Sequence, residues 1–283
     1  MHISENLKKE INELVSKAIK EDIGQCDLTA SLCGDLNCKA VINNREKMIL
    51  AGQAWVDELY RQIDPEIKVN WFYKDGDSIK ENSIISEIKG SKNNILSGER
   101  CALNFLQTIS STATTTKKYV EKIKNTNCKI LDTRKTIPGL RLAQKYAVTC
   151  GGGTNHRFGL YDAILIKENH IINSKGIKYL IKESKKRYPD TPTELEVESL
   201  DEAKIAISAG ANRLLLDNFT LGMLSETCKI NQEIGNPPAL IEASGNITID
   251  NVKETAATGV DFVSIGAITK NITAIDLSML IED

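Results

Sequence analysis

What the chain lacks narrows it first. Lys and Arg number 36 against 38 Asp and Glu, a formal net charge of -2 over 283 residues. Proteins that coat nucleic acid or a membrane surface normally carry a basic excess over the whole domain, so that class is excluded and any anion site is local. No apolar run approaches the roughly 18 residues a membrane span needs. The stretch MHISENLKKEINELVSKAIKEDIG has no continuous apolar core of the signal-peptide kind. Instead Ile3, Leu7, Ile11, Leu14, Ala18 and Ile19 recur at helical spacing between charges. The seven cysteines, Cys26, Cys33, Cys38, Cys101, Cys128, Cys150 and Cys228, include no CxxC pair and no zinc-type spacing, and their number is odd. They read as reduced thiols of a cytoplasmic protein.

What is present divides in two. Val41 to Met48 and Trp71 to Lys80 have strand patterns, and YKDGDSIKENSIISEIKG predicts a hairpin turning at Asp75-Gly76. Ser97 is placed to cap a helix carrying Ala102, Leu103, Leu106 and Ile109. Composition shifts there, which predicts a first domain over 1–112 and a second over 113–283. A closing helix over about 271–283 is expected to pack back on the first domain. In the second domain the short apolar strings CKILDT, DAILIK, TELEVE, RLLLD, ALIEAS and DFVSIG alternate with amphipathic segments, the rhythm of βα units on a parallel sheet. SLDEAKIAISAG and TIDNVKETAATG each run from a Ser or Thr cap to a glycine, and Gly151 suits the end of a helix beginning near Pro138.

These strands end in reactive groups: Arg134 and Lys135, Lys167, Glu196 and Glu198, Asp217, Glu242 and Ser244, then Ser264. An open doubly wound sheet would scatter them, whereas a βα barrel converges all strand C-termini on one mouth, so the barrel is favoured. Between Ile130 and Ile171 lie Arg134, Lys135, Arg141, Lys145, Arg157 and Lys167, with His156 and His170, against only Asp132, Asp162 and Glu168. Arg141 and Lys145, on the intervening helix, are expected to face solvent or a neighbouring subunit. Glu194, Glu196 and Glu198 alternate with Leu195 and Val197 and share one side of a strand. Buried carboxylates need a cation, a metal or a ligand. Lys167 either pairs with one of them or meets a ligand directly. Small residues after the late strands, Ser244, Gly245, Ser264 and Gly266, suit a phosphate. A phosphorylated or polycarboxylate substrate follows, though not yet a reaction.

The strings EDIGQCDLTA, GERCALNFLQ, LDTRKTIPGLRLAQKYAV, GGGTNHRFGLYDAILIKENHI, ELEVESL, LLLDN, EASGNI and TGVDFVSIGA closely resemble, in order, the quinolinate phosphoribosyltransferase family. The resemblance implies an N-terminal α/β sandwich domain, an incomplete α/β barrel of about seven strands, and a homodimer. The implied reaction joins quinolinate to phosphoribosyl pyrophosphate, giving nicotinate mononucleotide, pyrophosphate and CO₂, with Mg²⁺ as cofactor. By residue-by-residue match, Arg134, Lys135, His156, Arg157 and Lys167 bind the pyridine dicarboxylate and phosphates, with Thr133 beside them. Arg100 comes from the neighbouring subunit. Glu196 and Asp217 flank the ribose and Mg²⁺. Ser244, Gly245, Asn246, Ser264, Ile265 and Gly266 hold the 5′-phosphate. Lys135, Lys167, Glu196 and Asp217 form the implied catalytic set. Two departures stand out: Asn246 where a second glycine is usual, and Ser199 where asparagine often follows EVE. Competing readings are a family paralogue of the molybdenum-locus type with another acceptor, a Schiff-base lyase using Lys167, and a non-catalytic anion-binding protein.

Overall fold

The computed structural model describes residues 3–32 and 36–282; Cys33 lies outside them. Two units emerge. The first takes the chain up to Lys117, then Ile137–Gly152 and the segment from Ile268 onward, and the second takes Lys118–Thr136 and Gly153–Ala267. Each unit is thus assembled from separate segments, unlike the single division at residue 112 that composition predicts.

The first unit begins with α1 (Glu5–Asp22), capped by Ser4, whose Oγ accepts the Leu7 N–H. It continues through β1 (Asn37–Asn44), β2 (Met48–Ile49), α2 (Gln53–Ile63), β3 (Lys68–Trp71), β4 (Ser78–Ile79), β5 (Ile84–Ser91) and α3 (Lys92–Ile123), the last running beyond the unit. The predicted hairpin does not form. β4 pairs with β2, while β5 pairs with β1 and β3. The Asp75-Gly76 turn serves α2 instead: the Asp75 carboxylate accepts the Gly52 N–H at 3.1 Å and the Tyr146 hydroxyl at 2.7 Å. Nor does Ser97 cap α3, which starts five residues earlier. Ser91 takes that role through the Asn94 N–H, and Ser97 donates to Asp27.

In the second unit follow β6 (Lys129–Leu131), then, after α4 (Arg141–Cys150) of the first unit, β7 (Ile164–Ile166), α5 (Glu168–Ile172), α6 (Ile177–Arg187), β8 (Thr193–Val197), α7 (Leu200–Ser208), β9 (Arg213–Asp217), α8 (Leu221–Ile234), β10 (Leu240–Ser244), α9 (Val252–Ala256) and β11 (Phe262–Ser264). Ser199 caps α7 as predicted, accepting the Glu202 N–H. The six strands are parallel, in the order β6-β11-β10-β9-β8-β7. The barrel therefore has six strands where about seven were expected. After β6 the chain contributes α4 to the first unit, and on returning makes only a single bridge, Leu131 with Thr154, so the ring stays open.

The chain closes with α10 (Ala267–Lys270) and β12 (Leu277–Glu282). The helix expected over 271–283 is corrected to this strand, which runs antiparallel to β1 from Leu277↔Asn44 to Glu282↔Lys39. Leu277 and Met279 turn inward and Leu280 outward, a period of two that a helix cannot satisfy. The first unit's sheet, β12-β1-β5-β3, buries Ile42, Ile85 and Ile88 against Trp55, Leu59, Leu106 and Ile109 of its helices. α4 belongs to this unit, and Lys145, expected at the surface, is completely buried there, on a helix buried along most of its length. No described helix is long and apolar enough to cross a membrane.

Candidate active site

Because all six strands of the second unit run the same way, their C-terminal ends gather at one end of the sheet. A cavity of about 290 Å³ opens there. Thr133, Arg134 and Lys135 reach it from just beyond β6, Lys167 from the end of β7, Glu196 from β8, Asp217 from β9, Ser244 from β10 and Ser264 from β11. His156 and Arg157 arrive on the loop before β7, and Leu165 and Leu215 supply apolar wall.

The cations are crowded. Burial and then the neighbouring Arg134 charge both lower Arg157 from the ordinary guanidinium value, against the opposing pull of Glu194, Asp162 and Glu196. The Arg157 guanidinium donates to the Ala163 carbonyl at 3.2 Å, which fixes one of its edges. Lys167 is 44% exposed and donates from Nζ to Glu196. It takes the paired role that its strand position allowed, yet stays open to a ligand. The methylene stem of Lys135 passes Gly266 so closely that a Cβ there would lie 2.8 Å from Lys135 Cδ. Gly266 thus shapes the site by leaving room for a lysine.

The late-strand loop explains the unusual asparagine. Gly245 has φ +92°, and Asn246 follows at φ +51°. Asparagine is among the few side-chain-bearing residues that tolerate this region. Asn246 also donates to Asn218 Oδ1 at 3.0 Å, and Asn218 donates to Asp217 Oδ2 at 3.0 Å. Asn218, itself at φ +58°, ties the phosphate-loop candidates to the acidic strand end, a role that sequence reading missed. The LLLDN string held the only signal. Gly245 and Asn246 line a second cavity, beyond Ser244, rather than the first. Ile265 is buried, and Glu198 points to solvent beyond β8. Arg100 stands exposed on α3, in the part belonging to the first unit.

Below the mouth lies a group of charges that sequence reading did not assemble. His156 Nε2 is 2.9 Å from Glu194 and 3.4 Å from Glu242, and Arg213 reaches Glu242 at 3.4 Å. Glu242 is fully buried, and the Arg213 guanidinium rests 4.5 Å from the Phe262 ring centroid. Burial and then the Glu242 charge raise Glu194, whereas Glu242, despite a burial that acts to raise it, is drawn down by the neighbouring His156, Ser264 and Arg213.

An incomplete βα barrel with cations and carboxylates converging at its strand ends defines an enzyme acting on small, multiply anionic molecules. Residues 27–110 match the model of the quinolinate phosphoribosyl transferase N-terminal domain, and residues 112–280 that of its C-terminal domain. The chain belongs to the quinolinate phosphoribosyltransferase family, and is a pentosyltransferase of pyridine-nucleotide biosynthesis. It is 45% identical to the nicotinate-nucleotide pyrophosphorylase from Francisella tularensis, with a TM-score of 0.94 over 97% of each chain. A probable carboxylating nicotinate-nucleotide pyrophosphorylase of Bacillus subtilis is 37% identical, the match covering 95% of this chain and 93% of the relative. A chloroplastic relative from Oryza sativa is 36% identical over 96% of this chain and 78% of its own length.

Proposed function

We propose that the cavity at the strand ends transfers phosphoribosyl from phosphoribosyl pyrophosphate to quinolinate and then releases CO₂, giving nicotinate mononucleotide and pyrophosphate. One observation carries this reading. Arg134, Lys135, Arg157 and Lys167 share a cavity of about 290 Å³ with Glu196 and Asp217, which is the charge distribution that two polyanions and a developing cation require.

Arg134 and Arg157, with planar guanidinium groups, suit the pyridine dicarboxylate, and Leu165 and Leu215 suit the faces of its ring. The ring nitrogen attacks C1 of the ribose as the C1–O bond to pyrophosphate breaks, its electron pair leaving with the pyrophosphate. Positive charge builds on C1 and the ring oxygen, where Glu196 and Asp217 stabilise it, while Lys135 and Lys167 neutralise the departing pyrophosphate. The bond between C2 and its carboxylate then breaks. Its electrons stay on C2 beside the quaternised nitrogen, CO₂ leaves, and C2 takes a proton. The side chains position and neutralise, so no covalent enzyme intermediate is needed.

Glu196 and Asp217, oxygen donors on the neighbouring strands β8 and β9, fit Mg²⁺, which is commonly held by one or two carboxylates together with substrate phosphates. When bound, the ion supplies charge neutralisation to the leaving pyrophosphate. Ser244, Gly245, Asn246, Ser264, Ile265 and Gly266 form the 5′-phosphate region of this reading, with Thr133 beside the cations. The protein works in the cytoplasm as a homodimer, with Arg100 completing its partner's site.

The deciding assay supplies purified protein with quinolinate, phosphoribosyl pyrophosphate and Mg²⁺ and follows CO₂ and nicotinate mononucleotide. Both products should appear; neither appearing, or equal turnover of nicotinate, overturns the assignment. For the shared site, Arg100→Ala and Arg134→Ala homodimers should each be inactive and regain partial activity on mixing. Failure after demonstrated subunit exchange removes the cross-subunit role.

A further inference from the structure

His156 lines the cavity, yet the geometry of its ring points away from a direct role in substrate binding. Nδ1 accepts the backbone N–H of Arg157 at 2.7 Å, and Nε2 faces Glu194 at 2.9 Å and Glu242 at 3.4 Å. A ring turned over would set carbon against both neighbours, so the two contacts fix its orientation together. The ring's own backbone N–H is held by the buried Asp132 carboxylate at 2.9 Å. Both ring nitrogens are thus directed at protein groups rather than into the mouth.

The proton positions follow from the same contacts. Burial favours the neutral imidazole, while the close Glu194 and Glu242 carboxylates act in the opposite direction and would lift its pKa to about 9. The contact at Nδ1 decides the matter. A peptide N–H always carries its hydrogen, so an imidazolium would set two N–H groups head-on 2.7 Å apart. The ring is therefore neutral, with its proton on Nε2, the atom within 3.4 Å of both carboxylates. The same geometry argues against a metal ion here, although His156, Glu194 and Glu242 offer ligand atoms within 4.8 Å of one another. A histidine ligating through Nε2 normally donates from Nδ1, which here accepts, and Arg213 already balances Glu242.

We propose that His156 is a positioning residue rather than a substrate ligand: buried Glu194 and Glu242, the latter paired with a partly buried Arg213, hold its Nε2–H tautomer, and through Nδ1 it clamps the Arg157 backbone so that the guanidinium meets the dicarboxylate. Arg157 is then gripped twice, by His156 at its amide and by the Ala163 carbonyl at its guanidinium. The charges below the mouth serve orientation, which explains why so costly a group persists in the interior. This inference rests on the quinolinate reading for the identity of the anion, but not for the tautomer.

Nitrogen NMR of the imidazoles tests it directly. The chain has only three histidines, so the signal lost in His156→Gln identifies the ring. The pattern of a neutral ring protonated at Nε2 is expected in the wild type, both free and saturated with quinolinate. Protonation at Nδ1 in either state overturns the proposal. In a kinetic arm, Glu242→Ala should raise the quinolinate KM about tenfold with kcat changed less than about threefold, the size expected for one charge-assisted contact acting through Arg157. Glu242→Gln, which can still accept from Nε2–H, should recover most of that loss. A wild-type KM in Glu242→Ala, or a loss confined to kcat, overturns the role. Should Glu242→Ala fail to fold, the wild-type spectrum still decides. Wild-type turnover of quinolinate combined with Nδ1 protonation sinks the inference and leaves the reaction standing, whereas absent turnover removes the reaction and not the tautomer.

Discussion

The two sheets of this chain handle the same problem in opposite ways. In the first unit, antiparallel strands bury Ile42, Ile85 and Ile88 against helices, and the described residues of the sheet itself carry no charged side chain into the core. In the second, parallel strands carry Glu194 and Glu242 into the interior beside Leu195, Leu214 and Ile241, with a partly buried Arg213 paired to Glu242. Burying charge costs several kcal/mol per ion unless it is paired and hydrogen-bonded, so stability alone would not select the second arrangement. The difference shows that the first sheet exists to hold a shape, and the second to hold an orientation of charged groups.

That contrast can be broken in measurable ways. The largest effect on stability belongs to the first unit. Trp55, 1% exposed and 5.6 Å from the Tyr146 ring, should cost about 3–5 kcal/mol when changed to Ala, read as a lowered urea midpoint. Activity per folded molecule should hold; a loss of kcat without loss of stability would erase the distinction between the two sheets. Next comes Arg134→Ala, which should lower kcat/KM about 10²–10³-fold, or about 3–4 kcal/mol of transition-state stabilisation, with the urea midpoint nearly unchanged. An equally large stability loss would show that this cation is structural.

A smaller change concerns Gly245. At φ +92° an added Cβ would lie 2.2 Å from Asn218 Oδ1 and 2.8 Å from the Asn218 backbone nitrogen. Gly245→Ala should cost about 1–3 kcal/mol of strain and raise the KM for phosphoribosyl pyrophosphate more than that for quinolinate. Equal effects on both substrates would detach this loop from phosphate binding.

The smallest effect is electrostatic and lies in the first unit. Hydrogen bonds from Arg61, opposed by burial and reinforced by Gln62 and Asn12, hold the Glu58 carboxyl down at about 2. A carboxyl lowered on folding stabilises the native state above its unfolded value, near 4.5, and that contribution disappears as pH falls toward about 2. Glu58→Gln should therefore weaken the acid dependence of the urea midpoint over that window and leave neutral-pH kinetics unchanged. An identical acid profile would discount the cluster.

Much of this molecule was legible from local pattern. The strings CKILDT, DAILIK, TELEVE, RLLLD, ALIEAS and DFVSIG are strands because short apolar runs between capped segments have few alternatives, and Ser199 caps α7 for reasons contained in its own neighbourhood. Arg134, Lys135, Lys167, Glu196 and Asp217 could be placed together because parallel strands bring their C-termini to one end. Elsewhere local pattern misled. Residues 277–282 become a strand only because β1 offers an edge, and Lys145 is buried because α4 joins the first unit rather than flanking the barrel.

The sequence by itself determined the alternation of strands and helices, the family, and the inventory of charged groups, since each depends on neighbours within a few residues or on ordered strings. Tertiary structure alone decided the open six-stranded ring, the conformation of the Asn218–Asn246 pair and the direction in which His156 turns its nitrogens. Those outcomes depend on partners far apart in the chain, 86 positions for His156 and Glu242 and 133 for Lys129 and Phe262, and no local rule specifies which carboxylate a buried imidazole will meet.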